Sequence, residues 1–123
     1  MLNKIVVMGR LVNDPDLRVT QTNKQVCSFT LAVDRDFAVN GEKVTDFIDC
    51  VVWNAGAEFV SRNFTKGKWM AVIGRMQSKK WKDSEGKNRT GWYIAVENAH
   101  FCGDKPITKA TMEELPDDGD LPF

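Results

Sequence analysis

TDFIDCVVWNAGAEFVSRNF, running from Thr45 to Phe64, contains two hydrophobic periods in succession, and together they decide the fold. Up to Trp53 the spacing is two: Ile48, Cys50 and Val52 fall on one side, and Phe47, Asp49, Val51 and Trp53 on the other. That is the signature of a half-buried strand. From Ala55 the spacing lengthens, and Ala57, Val60 and Phe64 line up as the apolar stripe of a short helix. A strand that runs almost directly into a helix in mid-chain divides the sequence into an upstream and a downstream part.

Upstream, KIVVMGRLV (Lys4 to Val12) is β-branched and apolar around Gly9, and a glycine inside a strand marks a bulge or sharp bend. NDPD, from Asn13 to Asp16, is a turn signal. QVCSFTLAV then places Cys27, Phe29, Leu31 and Val33 on one face, and the polar loop after it holds the hairpin dipeptide Asn40-Gly41. Downstream of the turn TKGK, the stretch KWMAVIGRMQSKKWK reads as a long strand with a bend at Gly74. The loop DSEGKN centres on Gly86, and WYIAVENAHF closes the series with Trp92, Ile94 and Val96 on one face. The order predicts an all-β protein of the OB-fold class: a five-stranded Greek-key barrel with one helix between strands three and four.

Composition narrows the function. The 123 residues suffice for one domain, and the formal net charge is zero. That average conceals a division. Residues 1–103 carry 15 basic against 11 acidic side chains, whereas 104–123 carry 2 against 6. A basic body joined to an acidic tail points toward nucleic acid. Cys27, Cys50 and Cys102 form no CxxC pair, and the single His100 completes no metal constellation, so neither a metal nor a cofactor is expected. The first two cysteines sit in apolar runs and are expected as buried thiols. No apolar run has the length of a signal peptide core or a membrane span, which makes a cytoplasmic, nucleoid-associated protein with no membrane partner the expectation. Nucleophile elbow, phosphate-binding glycine loop and HExxH are all missing, and the pairs Asp14/Asp16 and Asp34/Asp36 read as turn and loop chemistry. The chain reads as a binder, not an enzyme.

Single strands are held by aromatic rings beside cations, because every base has a π-face. Phe47 and Trp53 share the side of their strand opposite the core set, and Trp81 stands among Lys79, Lys80 and Lys82 in SKKWK. These three are the stacking candidates, with Phe37 in the preceding loop as a fourth. Arg10, Arg18 and Arg75 are candidate phosphate contacts, and Trp69 and Trp92, in apolar strands, are expected in the core or a subunit contact.

The stretches NKIVVMGRLVNDPDLR, SFTLAVDR, TDFIDCVVWNAGAEFV, TKGK, IGRMQSKKWKDSEGK and the closing DDGDLPF together resemble the bacterial single-stranded DNA-binding proteins over the whole chain. The resemblance implies a homotetramer of OB domains wrapped by single-stranded DNA, with stacking positions at Phe37, Phe47, Trp53 and Trp81. It implies basic positions at Arg18, Lys79 and Lys80 and, more loosely, at Arg10 and Arg75. It further divides the chain into a DNA-binding domain, 1–103, and a disordered linker and docking tail, 104–123. In the tail Phe123, Pro122 and Leu121 would anchor, and Asp117, Asp118 and Asp120 would supply charge, toward replication, recombination and repair enzymes. The chain departs from many members in its short linker, DKPITKATMEEL, in Gly119 within the acidic run, and in Ile48 where some relatives carry His. The alternative is a protein-interaction adaptor with weak DNA binding, such as a prophage, plasmid or transformation paralogue.

Overall fold

The alternation in Thr45–Trp53 becomes a strand, β4, that buries Cys50 and Val52 and leaves Phe47 and Trp53 exposed. The structure, a computed structural model, describes residues 1–103; the expected docking segment, with Asp117, Asp118, Asp120, Leu121, Pro122 and Phe123, lies outside the described residues. Around β4 stand β1 (Ile5–Leu11), β2 (Asp16–Val19), β3 (Gln25–Asp34), helix α1 (Ala55–Asn63), β5 (Trp69–Lys82) and β6 (Asn88–Phe101).

Antiparallel pairing joins β1 to β5, β5 to β6 and β3 to β4. A short parallel contact sets Cys50 opposite Ile94 and Val51 opposite Ala95, which brings β6 against β4. The end of β1 passes from β5 to β3, pairing Arg10 with Ala32 and Leu11 with Leu31. β1, β3, β4, β6 and β5 therefore close into a ring, the OB barrel that the element order implied. Closure removes the free strand edges that an open sheet would present.

The sequence pattern missed one strand. β2 pairs with the first half of β3 outside the ring, and all four of its side chains are exposed. With no buried face it has no alternation to read. Two glycines allow the barrel to bend as expected. A Cβ on Gly9 would lie 2.6 Å from the carbonyl oxygen of Ala32, where β1 changes partner. One on Gly74 would lie 2.2 Å from the carbonyl oxygen of Ala95, at a register shift between Ile73 and Gly74 that marks a bulge.

α1 packs chiefly on β3 and buries Ala57 and Val60. Its exposed side carries the i,i+4 pair Glu58–Arg62. Phe64, just past its end, is buried and stacks on Phe101 with ring centroids 4.9 Å apart. These residues join Leu11, Phe29, Leu31, Met70, Val72 and Ile94 in one core, and among the described residues no polar or charged side chain is buried. Each large apolar side chain there contributes about 1.5–3 kcal/mol of burial energy. Burial, with a smaller push from Asp16, raises the Cys27 thiol to about 11. Burial and Asp49 raise Cys50 to about 12, so both stay protonated at neutral pH.

Candidate nucleic-acid interface

Cross-strand register decides which outward side chains are neighbours, because residues directly opposite each other stand on the same face. One row runs Trp69, Arg10, Ala32, Phe47 from β5 through β1 and β3 to β4. The Arg10 guanidinium lies 4.7 Å above the Trp69 ring, and the small Ala32 leaves a floor between that pair and Phe47. The resulting open cleft, about 450 Å³, also includes Asp34, Lys43 and Thr45. At the other end of β4 a second row runs Arg18, Val26, Trp53. Trp53 lies six positions after Phe47, about 20 Å along an extended strand. Between the rows, Ser28, Val51, Ala95 and Arg75 form a third, which places Arg75 on this face also.

From Arg75 the face continues along β5 through Gln77 and Lys79 to Trp81. Trp81 is half exposed, with the Lys79 ammonium 5.6 Å from its ring centroid. Its ring lies against Gly91 of β6: a Cβ there would meet two ring carbons at 3.0 and 3.1 Å. The six-membered edge of the indole therefore sits against the Gly91 backbone. Asp83 braces the tip of this β5–β6 arm. Its carboxylate accepts the amides of Lys87 and Glu85, each at 2.9 Å, and Arg89 Nε at 3.0 Å. The Lys87 amide first, then Arg89, holds its pKa below the usual carboxylate value.

The loop between β3 and β4 carries Phe37, with four-fifths of its surface exposed. Asn40 and Gly41 turn it at φ 52° and 80°, the hairpin geometry their dipeptide implied. At its root Arg35 donates twice to Asp46, each at 3.0 Å, and Asp34 accepts from Thr45 Oγ1 at 2.6 Å and pairs with Lys43 at 2.9 Å. The hydrogen bond from Thr45, then Lys43, lowers the Asp34 pKa, and Arg35 lowers that of Asp46. The carboxylates on the outer face are engaged as well. Asp49 accepts from Thr30 Oγ1 at 3.0 Å, Asp16 from Arg18 Nε at 3.0 Å, and Asp14 from the Lys66 amide at 2.8 Å.

The structure thus puts Phe47, Trp53, Trp81, Arg10, Arg18, Arg75 and Lys79 on one continuous outer face, with Phe37 exposed on the adjoining loop. Lys80 points the other way, since strand neighbours alternate. Trp69 and Trp92 are not in the core. Trp69 is half buried beneath Arg10, and Trp92 is 62% exposed although Ile94, two residues on, is wholly buried. The reason is the arm, which carries β6 beyond the barrel rim. Sequence reasoning also missed Gly91, and it missed Lys24, which lines a cleft with Trp53, Thr20 and Thr22.

Residues 2–102 match the model of the single-strand binding protein family. The chain is 43% identical to a protein named "Single-stranded DNA-binding protein 3" of Clostridium acetobutylicum, over 99% of this chain and 100% of that protein. It is 42% identical over 85% of its length to "Single-stranded DNA-binding protein 2" of Listeria monocytogenes, covering 66% of that protein. It is 39% identical over 80% of its length to "Single-stranded DNA-binding protein" of Enterococcus faecalis, covering 53% of that one. Against these last two the chain spans about half to two thirds of the relative's length.

Proposed function

We propose, since the chain belongs to the single-strand binding protein family, that it coats single-stranded DNA without sequence preference. The family is one of non-enzymatic DNA-binding proteins, so the chemistry to account for is binding. One observation carries the reading: Phe47, Trp53 and Trp81 stand exposed on the same outer face, interleaved with Arg10, Arg18, Arg75 and Lys79. Rings of this kind accept any base at about 1–3 kcal/mol each, and the cations take the phosphates between them. Trp81→Ala and Phe47→Ala test it by equilibrium binding of oligo(dT). Each is expected to weaken binding about 5- to 150-fold, the equivalent of one lost stack. Affinities within twofold of the parent would instead favour an adaptor on an OB scaffold.

The finer reading places this coat in replication, recombination and repair. Residues 1–103 form the binding domain in this reading, and 104–123 the docking segment. Leu121, Pro122 and Phe123 would enter an apolar pocket of a partner enzyme, with Asp117, Asp118 and Asp120 meeting basic residues around it. Binding of a peptide of residues 115–123 to such enzymes, abolished by Phe123→Ala, tests that part. The tail's excess negative charge also competes with DNA for the basic domain. Truncation after Asp104 should tighten oligo(dT) binding at low salt and matter little at high salt; unchanged low-salt affinity would refute the competition.

Homotetramer assembly is the third part. Val6 and Met8 are 68% and 56% exposed on the outer side of β1, opposite Ile73 and Ala71 of β5. This apolar stripe suits burial against other copies. Sedimentation equilibrium should give four chains; a monomer at micromolar concentration would refute it.

A further inference from the structure

Resting on single-strand binding as proposed above, the β5–β6 arm offers a second face that the outer-face arrangement does not use. Its residues follow from register: Ser78, Lys80 and Lys82 on β5 lie opposite Trp92, Thr90 and Asn88 on β6. Trp92 is 62% exposed, more than Trp81 at 46%. Lys80 is its diagonal neighbour, within reach of a long side chain.

No carboxylate occupies any of those six positions. The nearest one along the chain, that of Asp83, is turned to the amides of the tip and to Arg89, a residue of the opposite face. The face is thus one large aromatic ring, two ammonium groups, and short polar side chains. Its composition is that of the Trp81 face, repeated on the reverse side of the same two strands. A core explanation fails because Trp92 lies past the rim. A purely apolar subunit contact fits poorly with two lysines and no counter-charge around the ring. Polyanion complementarity commits the face to one occupant.

We propose that Trp92 is a further base-stacking residue, with Lys80 and Lys82 as its phosphate contacts, so that single-stranded nucleic acid engages both faces of the β5–β6 arm. Lys80 then acts with Trp92 rather than with its sequence neighbour Lys79. The strand would pass over Trp81 on one side and Trp92 on the other, and the Asp83-braced tip keeps the two faces at a fixed separation.

The test is photo-crosslinking of the full, unsubstituted chain to an oligo(dT) carrying 5-iododeoxyuridine, with adducts mapped by tandem mass spectrometry. Adducts on both Trp81 and Trp92 are expected. In parallel, Trp92→Ala should weaken oligo(dT) binding about 5- to 150-fold, while Trp92→Phe retains most of the affinity. Sedimentation of Trp92→Ala should show the parent's mass. Adducts on Trp81 or Phe47 without any on Trp92 would overturn the inference while leaving the proposed function intact. So would a Trp92→Ala affinity within twofold of the parent, including the case in which its mass falls because Trp92 instead contacts a second copy. Failure of the unsubstituted chain to bind the oligonucleotide at all would overturn the function itself.

Discussion

Replacing Gly91 separates DNA binding from folding in a way that few substitutions can. The Trp81 ring rests on this residue, and a Cβ would come within 3.0 and 3.1 Å of two ring carbons. Ordinary carbon contacts are about 3.5–4.0 Å, so alanine must lift the ring by roughly 0.5 Å or more. A shift of that size moves the ring out of the position in which it meets a base, at up to about 0.5–1.5 kcal/mol where the side chain must leave its rotamer to make room. Gly91→Ala should then weaken oligo(dT) binding about 2- to 10-fold, and Gly91→Val more. The limit is the whole stack, about 1–3 kcal/mol. Stability should move the other way, because a strand glycine replaced by valine gains up to ~1 kcal/mol of β preference. The assay pairs equilibrium binding with thermal denaturation, and adds the double variant with Trp81→Ala, in which the Gly91 effect should vanish. Gly91→Val that binds as tightly as the parent would refute the claim that this seat presents the ring. A loss that persists without Trp81 would refute it equally.

Salt titration should give a log–log slope of about −3 per protomer if Arg10, Arg18, Arg75 and Lys79 neutralise phosphates, and Lys79→Ala should flatten it by about 0.7. An unchanged slope would remove Lys79 from the interface. Gly74→Ala, whose Cβ would lie 2.2 Å from the Ala95 carbonyl oxygen, should destabilise by about 2–3 kcal/mol. That loss corresponds to roughly 10–20 °C in Tm, and a Tm held within two or three degrees would show that the bulge tolerates a side chain. Cys27 and Cys50 keep their protons to about 11 and 12 when folded, against an ordinary value of 9.0. Their support for the fold is therefore complete below pH 9 and lost as pH rises through the folded values. Urea midpoints should fall between pH 9 and 11, less so in Cys50→Ala; equal slopes in the two proteins would contradict this.

The barrel was legible because its strands bury one face. Cys27, Phe29 and Leu31 on β3, and Cys50 and Val52 on β4, repeat at two and are buried as that period requires. The helix was legible for the same reason, since Ala57, Val60 and Phe64 meet the core at helical spacing. β2 was invisible because it buries nothing. Trp92 escapes the pattern because the alternation Trp92, Ile94, Val96 runs unbroken through the rim, and periodicity does not mark where a barrel ends and an arm begins. Gly91 could not be found from sequence at all. Its seat for Trp81 depends on which residues meet across β5 and β6, where Lys79 faces Gly91. Lys79 and Lys80 are adjacent in the chain and form one basic cluster there, yet period two sends them to opposite faces.

Tryptophan fluorescence during oligo(dT) titration of the full chain, at low and high salt, tests most directly whether the aromatic face holds single strands. Strong quenching is expected, saturating at a defined number of nucleotides per protomer, reduced by Trp81→Ala, and weakening in affinity as salt rises. Absence of both quenching and binding at low salt would contradict the proposed function.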